Sequence, residues 1–251
     1  MRFGLLSFFI VWSLGASAAP TPGAPAPADV YARLDALNAR RDEAPALAEA
    51  HRAVSVALTA APGDYGVLWR AARVTFAESD DPRRPKDERS RLGKQAYDLA
   101  ERAIAANPND VAGHYWAALS IGRYAQGMGV VRALANGIEG KFKTPLERAT
   151  ALDVRYEHGN IPVIWAAYYI ELPWPKRDRT KAARELERAL AINPANLRAR
   201  FYQARIAADE DRPAEAKALL AAIAVAPVGR YDAPEERRVK VEAAAMAATI
   251  H

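Results

Sequence analysis

The residues best suited to chemistry in this chain are aromatic and basic side chains that share helical segments. Trp69 is followed by Arg70 and Arg73 in LWRAAR, and Arg123 precedes Tyr124 in HYWAALSIGRYAQ. Guanidinium groups bind carboxylates through paired hydrogen bonds, and tyrosine rings give a surface an apolar face with a polar edge. This pattern indicates binding of a carboxylate on a ligand or on a partner protein. An arginine held in an ion pair within the protein is the alternative.

The sequence offers little for catalysis. Its four histidines, at positions 51, 114, 158 and 251, are isolated, and no HExxH, GxSxG or GxxxxGKS/T pattern is present. The stretch GIEGKFK (137–143) has two glycines and a lysine, but their spacing does not fit a phosphate-binding loop. We therefore expect a protein that is not an enzyme and that uses no cofactor and no metal.

The helices that carry these residues repeat. Three segments place small or apolar residues at i, i+4 and i+7, followed by a proline at i+12. Such residues lie on one helix face, small side chains there let a second helix approach closely, and the proline ends the unit. The three sets are Ala50, Val54, Ala57 and Pro62; Ala96, Ala100, Ala103 and Pro108; and Ala182, Leu186, Ala189 and Pro194. Two weaker copies are Phe142, Leu146 and Ala149 with Val154, and Ala214, Ala218 and Ala221 with Pro227.

This pattern is typical of tetratricopeptide repeats (TPRs), in which each unit is a helical hairpin that stacks on its neighbours. The predicted fold is all-α: a TPR-like helical-hairpin solenoid of about five hairpins with a C-terminal capping helix near 233–249. An unrelated helical bundle is the alternative. First helices are predicted near 29–39, 65–79, 110–126, 160–172 and 195–208. Two insertions, 78–90 and 127–145, are expected to form loops on one face, where repeat arrays often bind.

Aromatic residues are expected in two roles. Trp69, Trp116 and Trp165 are predicted to wedge between hairpins in the core. Trp174, between two prolines that end a helix in ELPWPKRD (171–178), is expected to pack as a lid on the third hairpin. In the alternative, functional interpretation, aromatic side chains line a groove or cavity for a peptide or apolar ligand, with two basic residues at its entrance. These residues are Tyr124, Tyr168, Tyr169 and Trp174, with Lys176 and Arg177.

Three segments resemble two related groups of degenerate TPR proteins. LWRAAR (68–73), HYWAALSIGRYAQ (114–126) and a Leu-Pro-Trp-Pro element before an Asn-Pro helix are similar to the T component of periplasmic tripartite (TRAP-type) transporters and to the regulator of microtubule dynamics family. The resemblance covers roughly residues 63–194. It implies an accessory role, since T components associate with a ligand-binding subunit. The chain differs from those components in having no cysteine for a lipid anchor.

The N-terminus has the pattern of a secretory signal peptide. Arg2 precedes an apolar run at 3–14, and Ala16-Ser17-Ala18 forms a small-residue cleavage site. Cleavage near Ala18-Ala19 predicts a signal peptide at 1–19, a Pro/Ala-rich linker at 20–28 and the TPR-like domain at 29–251. The expected location is the periplasm or the exterior of the cell. An uncleaved N-terminal anchor is the alternative.

Charge and hydropathy argue against two classes of partner, nucleic acids and membranes. The formal net charge is +5, but basic residues alternate with acidic ones, as in RELER (184–188), and export argues against a nucleic acid. No segment after the signal is apolar enough for stable membrane insertion. The predicted function is an exported scaffold for protein–protein interaction, with an accessory role in solute uptake implied by the resemblance. The alternative is a periplasmic carrier for a small apolar or anionic ligand in an aromatic-lined cavity.

Overall fold

The computed structural model describes residues 26–250, so the predicted signal peptide and most of the predicted linker lie outside the described residues. Within that range the chain forms helices and no strand. The helices are α1 (Ala28–Asn38), α2 (Ala44–Ala60), α3 (Tyr65–Ser79), α4 (Lys86–Ala106), α5 (Val111–Met128), α6 (Val130–Ala135), α7 (Ile138–Asp153), α8 (Tyr156–Glu171), α9 (Arg179–Ile192), α10 (Leu197–Asp209), α11 (Pro213–Val225) and α12 (Ala233–Ala247). The prediction of an all-α fold is confirmed.

The helices pair into five consecutive hairpins and one final helix. α1 packs against α2, α3 against α4, α5 against α7, α8 against α9, and α10 against α11. The short α6 lies within the third hairpin, and α12 packs against α10 and α11 at the end of the array. The predicted TPR-like solenoid of five hairpins with a capping helix is therefore confirmed. The first helices also begin close to their predicted positions.

The hairpins pack through the predicted repeat face. The alanine, valine and leucine residues of its three strongest sets are buried, whereas the prolines that follow are exposed. Ala100, Ala182 and Ala189 have no exposed surface. Because an alanine side chain extends only one carbon from the backbone, two helices can approach closely at these positions. Gly127 of α5 shows the same constraint, since a Cβ atom there would lie 2.3 Å from the Cβ atom of Ser90 in α4.

The register predicted for the fifth copy is wrong. The predicted residues of α11 are exposed: Ala214, Ala218 and Ala221. The buried residues of α11 are instead Ala216, Leu220 and Ile223, which keep the same spacing two positions later. Because α11 is apolar on nearly every side, its sequence does not single out one face. Contact of Leu220 and Ile223 with Val239 of α12 decides which face is buried.

The expectation of loops is wrong for the second predicted insertion and holds only in part for the first. Residues 78–90 comprise the end of α3, a short connection and the start of the long helix α4. Asp87 and Glu88 stabilise that start because acidic side chains complement the positive end of a helix dipole. Residues 127–145 contain all of α6 and the first half of α7. Gly137 lies between these two helices in a left-handed conformation with φ of 70°.

The described end of the predicted linker packs onto the domain. Ala26 is buried with Ala57, Ala61 and Val67. Its backbone N–H donates to a carboxylate oxygen of Asp64 at 3.3 Å, and α1 begins at Ala28. The packed domain therefore includes residues 26–28, which the sequence assigned to the linker.

Charged contacts join the last helix to the first hairpin. Arg41 Nη2 lies 2.6 Å from Asp232 Oδ2, and Arg237 Nε lies 2.6 Å from Asp42 Oδ2. Arg41 and Asp42 connect α1 to α2, whereas Asp232 and Arg237 belong to the N-terminal end of α12. The ends of the array therefore meet through two ion pairs that span 191 and 195 residues of sequence.

A third contact extends this junction, which we call the ionic seam. Asp80, directly after α3, pairs with Arg238 of α12 and with Arg123 of α5. Within residues 26–250, no hydrophobic cluster combines side chains of α12 with side chains of α1 to α4. Charge, rather than apolar burial, holds the seam together.

The close packing of α9 leads to a stability prediction. Ala182→Leu is expected to lower the free energy of unfolding by about 1–3 kcal/mol, because three extra carbon atoms must enter a filled contact. Urea denaturation followed by circular dichroism measures the change. Ala191→Leu, at an exposed position of the same helix, is the matched control and should change the free energy by less than about 0.5 kcal/mol. Equal destabilisation by the two variants would contradict the close contact at Ala182.

Candidate functional site

The predicted binding residues lie in three separate environments rather than in one groove. The first contains Arg70 and Arg73 of α3, which share the carboxylate of Asp35 in α1. Arg70 donates from Nε and Nη2 to the two oxygens at 2.9 and 2.8 Å, and Arg73 donates from Nη2 at 2.6 Å. Burial raises the pKa of Asp35, but the hydrogen bonds from both arginines outweigh it and hold the pKa below its ordinary value.

The two arginines differ in whether their N–H donors all have hydrogen-bond partners. The Arg70 guanidinium lies 4.1 Å from the Trp69 ring centroid and also donates to the Gly66 carbonyl oxygen at 3.1 Å. Most N–H donors of Arg70 therefore bind acceptors within the protein. This agrees with the alternative interpretation, in which the arginine is held in an internal ion pair instead of binding a ligand. Arg73 is almost completely buried, yet its Nε has no hydrogen-bond partner among the described residues.

The second environment is the contact between α4 and α5. Arg123 pairs with Asp80 and donates to Gln126 Oε1 at 2.8 Å, and burial lowers the pKa of its guanidinium. Tyr124 lines an open surface pocket together with Ser90 and Gln95 of α4. No residue that lines this pocket belongs to α8, so Tyr168 and Tyr169 lie outside it.

The third environment surrounds Glu139 of α7. Tyr168 donates its hydroxyl to Glu139 Oε1 at 2.5 Å, and Lys176 donates to Oε2 at 2.6 Å. These two hydrogen bonds lower the pKa of Glu139. The Tyr168 ring stacks on Phe142 with 5.2 Å between centroids. Lys181 lies 5.6 Å from the ring centroid of the neighbouring Tyr169. The structure therefore places Tyr168, Tyr169 and Lys176 on one surface.

Trp174 does not pack as a lid on the third hairpin, so that prediction is wrong. Its side chain is 88% exposed. Leu172, which is buried, supplies the apolar contact at this end of α8 instead. The loop around Trp174 is nevertheless held in place. The N–H groups of Lys176 and Arg177 donate to the Pro173 carbonyl oxygen at 2.9 and 3.2 Å, and Arg177 Nε donates to the Leu172 carbonyl oxygen at 3.0 Å.

Two of the three tryptophans predicted to lie in the core behave as predicted. Trp116 and Trp165 are buried in the main hydrophobic core. Trp69 is only partly buried, and the guanidinium groups of Arg70 and Arg73 lie against its ring. The wedge role therefore holds for two of the three residues, and Trp69 supports the arginine cluster.

Sequence reasoning missed a polar cavity beside the ionic seam. The cavity has a volume of about 320 Å³ and lies where α1, α3 and α8 meet the segment before α12. Its polar lining consists of Asp35, Asn38, Arg41, Arg73, Glu157 and Asp232. These residues are up to almost 200 positions apart in the chain, so no local pattern could have identified them together.

The backbone at the start of α8 has an unusual conformation where it lines this cavity. Glu157, His158 and Gly159 all adopt left-handed backbone conformations, with φ of 48°, 58° and 79°. Only glycine adopts this conformation without strain, and a Cβ atom at Gly159 would lie 2.8 Å from Ile192 Cγ2. Strained backbone at a polar cavity is a common feature of functional sites. Burial also raises the pKa of the Glu157 carboxyl.

The described residues show no arrangement for a metal ion. Between residues 26 and 250, no three His, Cys, Asp or Glu side chains are placed to coordinate one. Asp35 and Asp232 at the cavity are instead paired with arginines. None of the helices in the same range combines the length and the apolar character needed to span a membrane.

Comparisons with known proteins identify relatives of the first half of the chain. Residues 30–160, which are 131 of 251, match a family model described as regulator of microtubule dynamics protein 1-3. Regulator of microtubule dynamics protein 1 from Pongo abelii is 27% identical over 115 residues, and the same protein from Bos taurus is 28% identical. Each match covers 45% of this chain and 36% of the relative, so the chain spans about a third of the relatives' length.

One solved structure supports the fold over nearly the whole chain. A thermophilic TPR protein from Thermus thermophilus superposes with a TM-score of 0.62 and 19% sequence identity. The superposition covers 86% of this chain and 97% of that one. At this identity, the comparison establishes a shared repeat architecture. The family match ends at residue 160 and thus includes Arg73 and Glu157 but not Trp174.

Glu157 leads to a prediction about pH. Because burial raises its pKa above the ordinary value of 4.5, the folded protein holds the proton more tightly than the unfolded chain. The contribution of Glu157 to the free energy of unfolding is therefore most favourable below its pKa in the unfolded chain. It is lost as the pH rises through its pKa in the folded protein. Glu157→Gln is therefore expected to raise the free energy of unfolding at pH 7, and this gain should vanish below pH 4.

Urea denaturation at both pH values measures this difference. Glu210→Gln, at an exposed glutamate that pairs with Arg212, is the matched control and should show no gain at pH 7. A gain of the same size at both pH values would show that the Glu157 effect does not come from its ionisation.

Proposed function

We propose that this protein, which belongs to the regulator of microtubule dynamics protein 1-3 family, is a TPR-like scaffold that binds a partner protein through its loop at 172–178. Stacked helical hairpins present extended surfaces that suit protein partners. The observation that carries the choice of surface is the exposure of Trp174 on a loop whose backbone is held by hydrogen bonds.

An exposed tryptophan on an ordered loop is suited to binding. Tryptophan is enriched among the residues that dominate protein interfaces. Covering its roughly 150–250 Å² of surface is worth about 4–6 kcal/mol before other costs are subtracted. The hydrogen bonds to Pro173 and Leu172 already restrict the loop, so a partner loses less of its binding free energy to ordering the loop.

The surroundings of Trp174 define the chemistry of the partner. Lys176 and Arg177 follow it in the loop, and both residues are exposed. Lys176 pairs with Glu139, whereas Arg177 forms no ion pair with any described residue and is the cation left for a partner. The nearby carboxylates of Glu139 and Asp178 already accept hydrogen bonds within the protein. The matching partner surface is therefore an apolar pocket for an indole ring with acidic side chains at its rim.

Replacing the indole tests this function. Trp174→Ala is expected to reduce capture of the partner at least tenfold, because the side chain that fills the pocket is lost. Affinity capture from the protein's own cells, followed by quantitative mass spectrometry against the native chain, measures this. Val131→Ala removes another exposed apolar side chain, on α6, and should leave capture unchanged. A partner set that is identical for the native chain and for Trp174→Ala would refute the loop as the docking site.

We further propose that the protein is exported. Support comes from Arg2, the apolar run at 3–14 and the small residues Ala16 to Ala18. Peptide mapping of the protein from periplasmic and cytosolic fractions tests this. The expected result is a periplasmic protein whose first residue is Ala19. An intact N-terminus recovered from the cytosol would overturn the proposal.

An accessory role in periplasmic solute uptake is the narrower form of the scaffold proposal. It is supported by the similarity of the Leu-Pro-Trp-Pro element to transporter T components. In this role, the protein captured through Trp174 is a solute-binding or membrane subunit of an uptake system. Capture of an unrelated protein would reject the uptake role and retain the scaffold.

A further inference from the structure

We infer that the cavity beside the ionic seam is a binding site for a free α-amino acid, with the ligand carboxylate at Arg73 and the ligand ammonium at Glu157. This site lies apart from the Trp174 loop and does not depend on the proposed partner protein. It also differs from the predicted aromatic cavity, because its lining is mainly polar and charged.

The first argument is that the cavity holds an unpaired carboxylate beside a buried arginine. Glu157 lines the cavity and forms neither a hydrogen bond nor an ion pair with any residue in the described range, although Arg73 and Arg41 are near enough to influence its charge. Arg73 is 7% exposed, lines the same cavity and donates a hydrogen bond to Asp35 alone. Its Nε and Asn38 Oδ1 are also unpaired, but neither atom has surface that a ligand could touch. A charge that is largely shielded from water and has no partner is costly, so Glu157 calls for a cationic group in this cavity.

The second argument is the balance of charge. Three arginines surround the cavity or pair with its lining, and three carboxylates face them: Arg41, Arg70 and Arg73 against Asp35, Asp232 and Glu157. A ligand with a net charge would leave one of these groups without compensation. A zwitterion adds one positive and one negative group, and so preserves the balance.

The third argument is the arrangement of those charges. Asp35 and Asp232 are each satisfied by arginines at 2.6 to 2.8 Å. Glu157 is the exception, because it lies more than the ion-pair distance of 4.0 Å from every arginine in the described range. The Glu157 carboxylate therefore has no direct partner, and an α-amino acid supplies an ammonium group for Glu157 together with a carboxylate for Arg73, one carbon atom apart.

Cavity size and its apolar wall agree with this ligand class. A volume of about 320 Å³ is at the lower end of the range of about 300–1,000 Å³ typical for small-molecule sites. Tyr231, Ala233 and Pro234 provide apolar surface on one side. The Tyr231 hydroxyl already accepts a hydrogen bond from the Leu197 N–H at 3.0 Å, so its ring is fixed in place. The site can thus accommodate an amino-acid side chain beside the two charged groups.

Native mass spectrometry of the full chain in an equimolar mixture of the twenty protein amino acids tests the inference. The expected result is a one-to-one complex with one or a few of them. Isothermal titration calorimetry then compares each retained amino acid with its amide, which lacks the carboxylate, and with its N-acetyl form, which lacks the ammonium. Both derivatives should bind at least tenfold more weakly. Retention of none of the twenty, or equal affinity for either derivative, would overturn the inference.

Glu157→Gln tests the ammonium partner directly. This variant keeps the shape of the side chain and removes its charge, so affinity for the amino acid should fall at least tenfold. Circular dichroism confirms that the variant is folded. Glu210→Gln and Trp174→Ala should both bind as the native chain does, which separates this site from the loop at 172–178. Unchanged affinity in Glu157→Gln would overturn the inference, because it would show that a bound amino acid does not place its ammonium at Glu157.

Discussion

The close approach of paired helices at buried alanines is the constraint on which the rest of this structure depends. Ala100, Ala182 and Ala189 have no exposed surface, and each lies where a second helix crosses its own. Larger side chains there would separate the helices and change the angle between successive hairpins. Because each hairpin is stacked on the previous one, the position of the last helix depends on every crossing before it. The meeting of α12 with the first hairpin is a consequence of that accumulated geometry.

Ion pairs, rather than apolar contacts, join the last helix to the first helices of the array. The hydrophobic clusters of the described residues run along the array, and none of them joins α12 to α1 through α4. Asp42, Asp80 and Asp232 make that connection with arginines instead. An ionic junction contributes less to stability than an apolar one of equal size, but it leaves polar groups and space beside it. The cavity that contains Arg73 and Glu157 occupies this space.

The two proposed sites use different properties of the same array. The loop at 172–178 interrupts the fourth hairpin and displays one large apolar side chain on a restrained backbone. The cavity instead combines side chains from the family-matched region, such as Asp35 and Glu157, with Asp232 from beyond it. A relative that shares only residues 30–160 would carry six of the eleven lining residues of the cavity, including Arg73 and Glu157, and would lack the Trp174 loop. The region after residue 160 therefore decides the proposed partner site and supplies the other five lining residues of the cavity.

Sequence by itself determined the repeat. Alanines at fixed spacing before a proline define a helix face and a helix end, since both helix geometry and the missing proline N–H are local properties. The number of hairpins, their first helices and the capping helix followed from them. Local patterns failed where contacts between distant segments decide the outcome. The buried face of α11 packs against Val239, and Leu172 rather than Trp174 is buried at the end of α8. The cavity depended on residues nearly 200 positions apart. Tertiary structure alone placed these residues, because their neighbours are determined by the sum of all helix crossings between them.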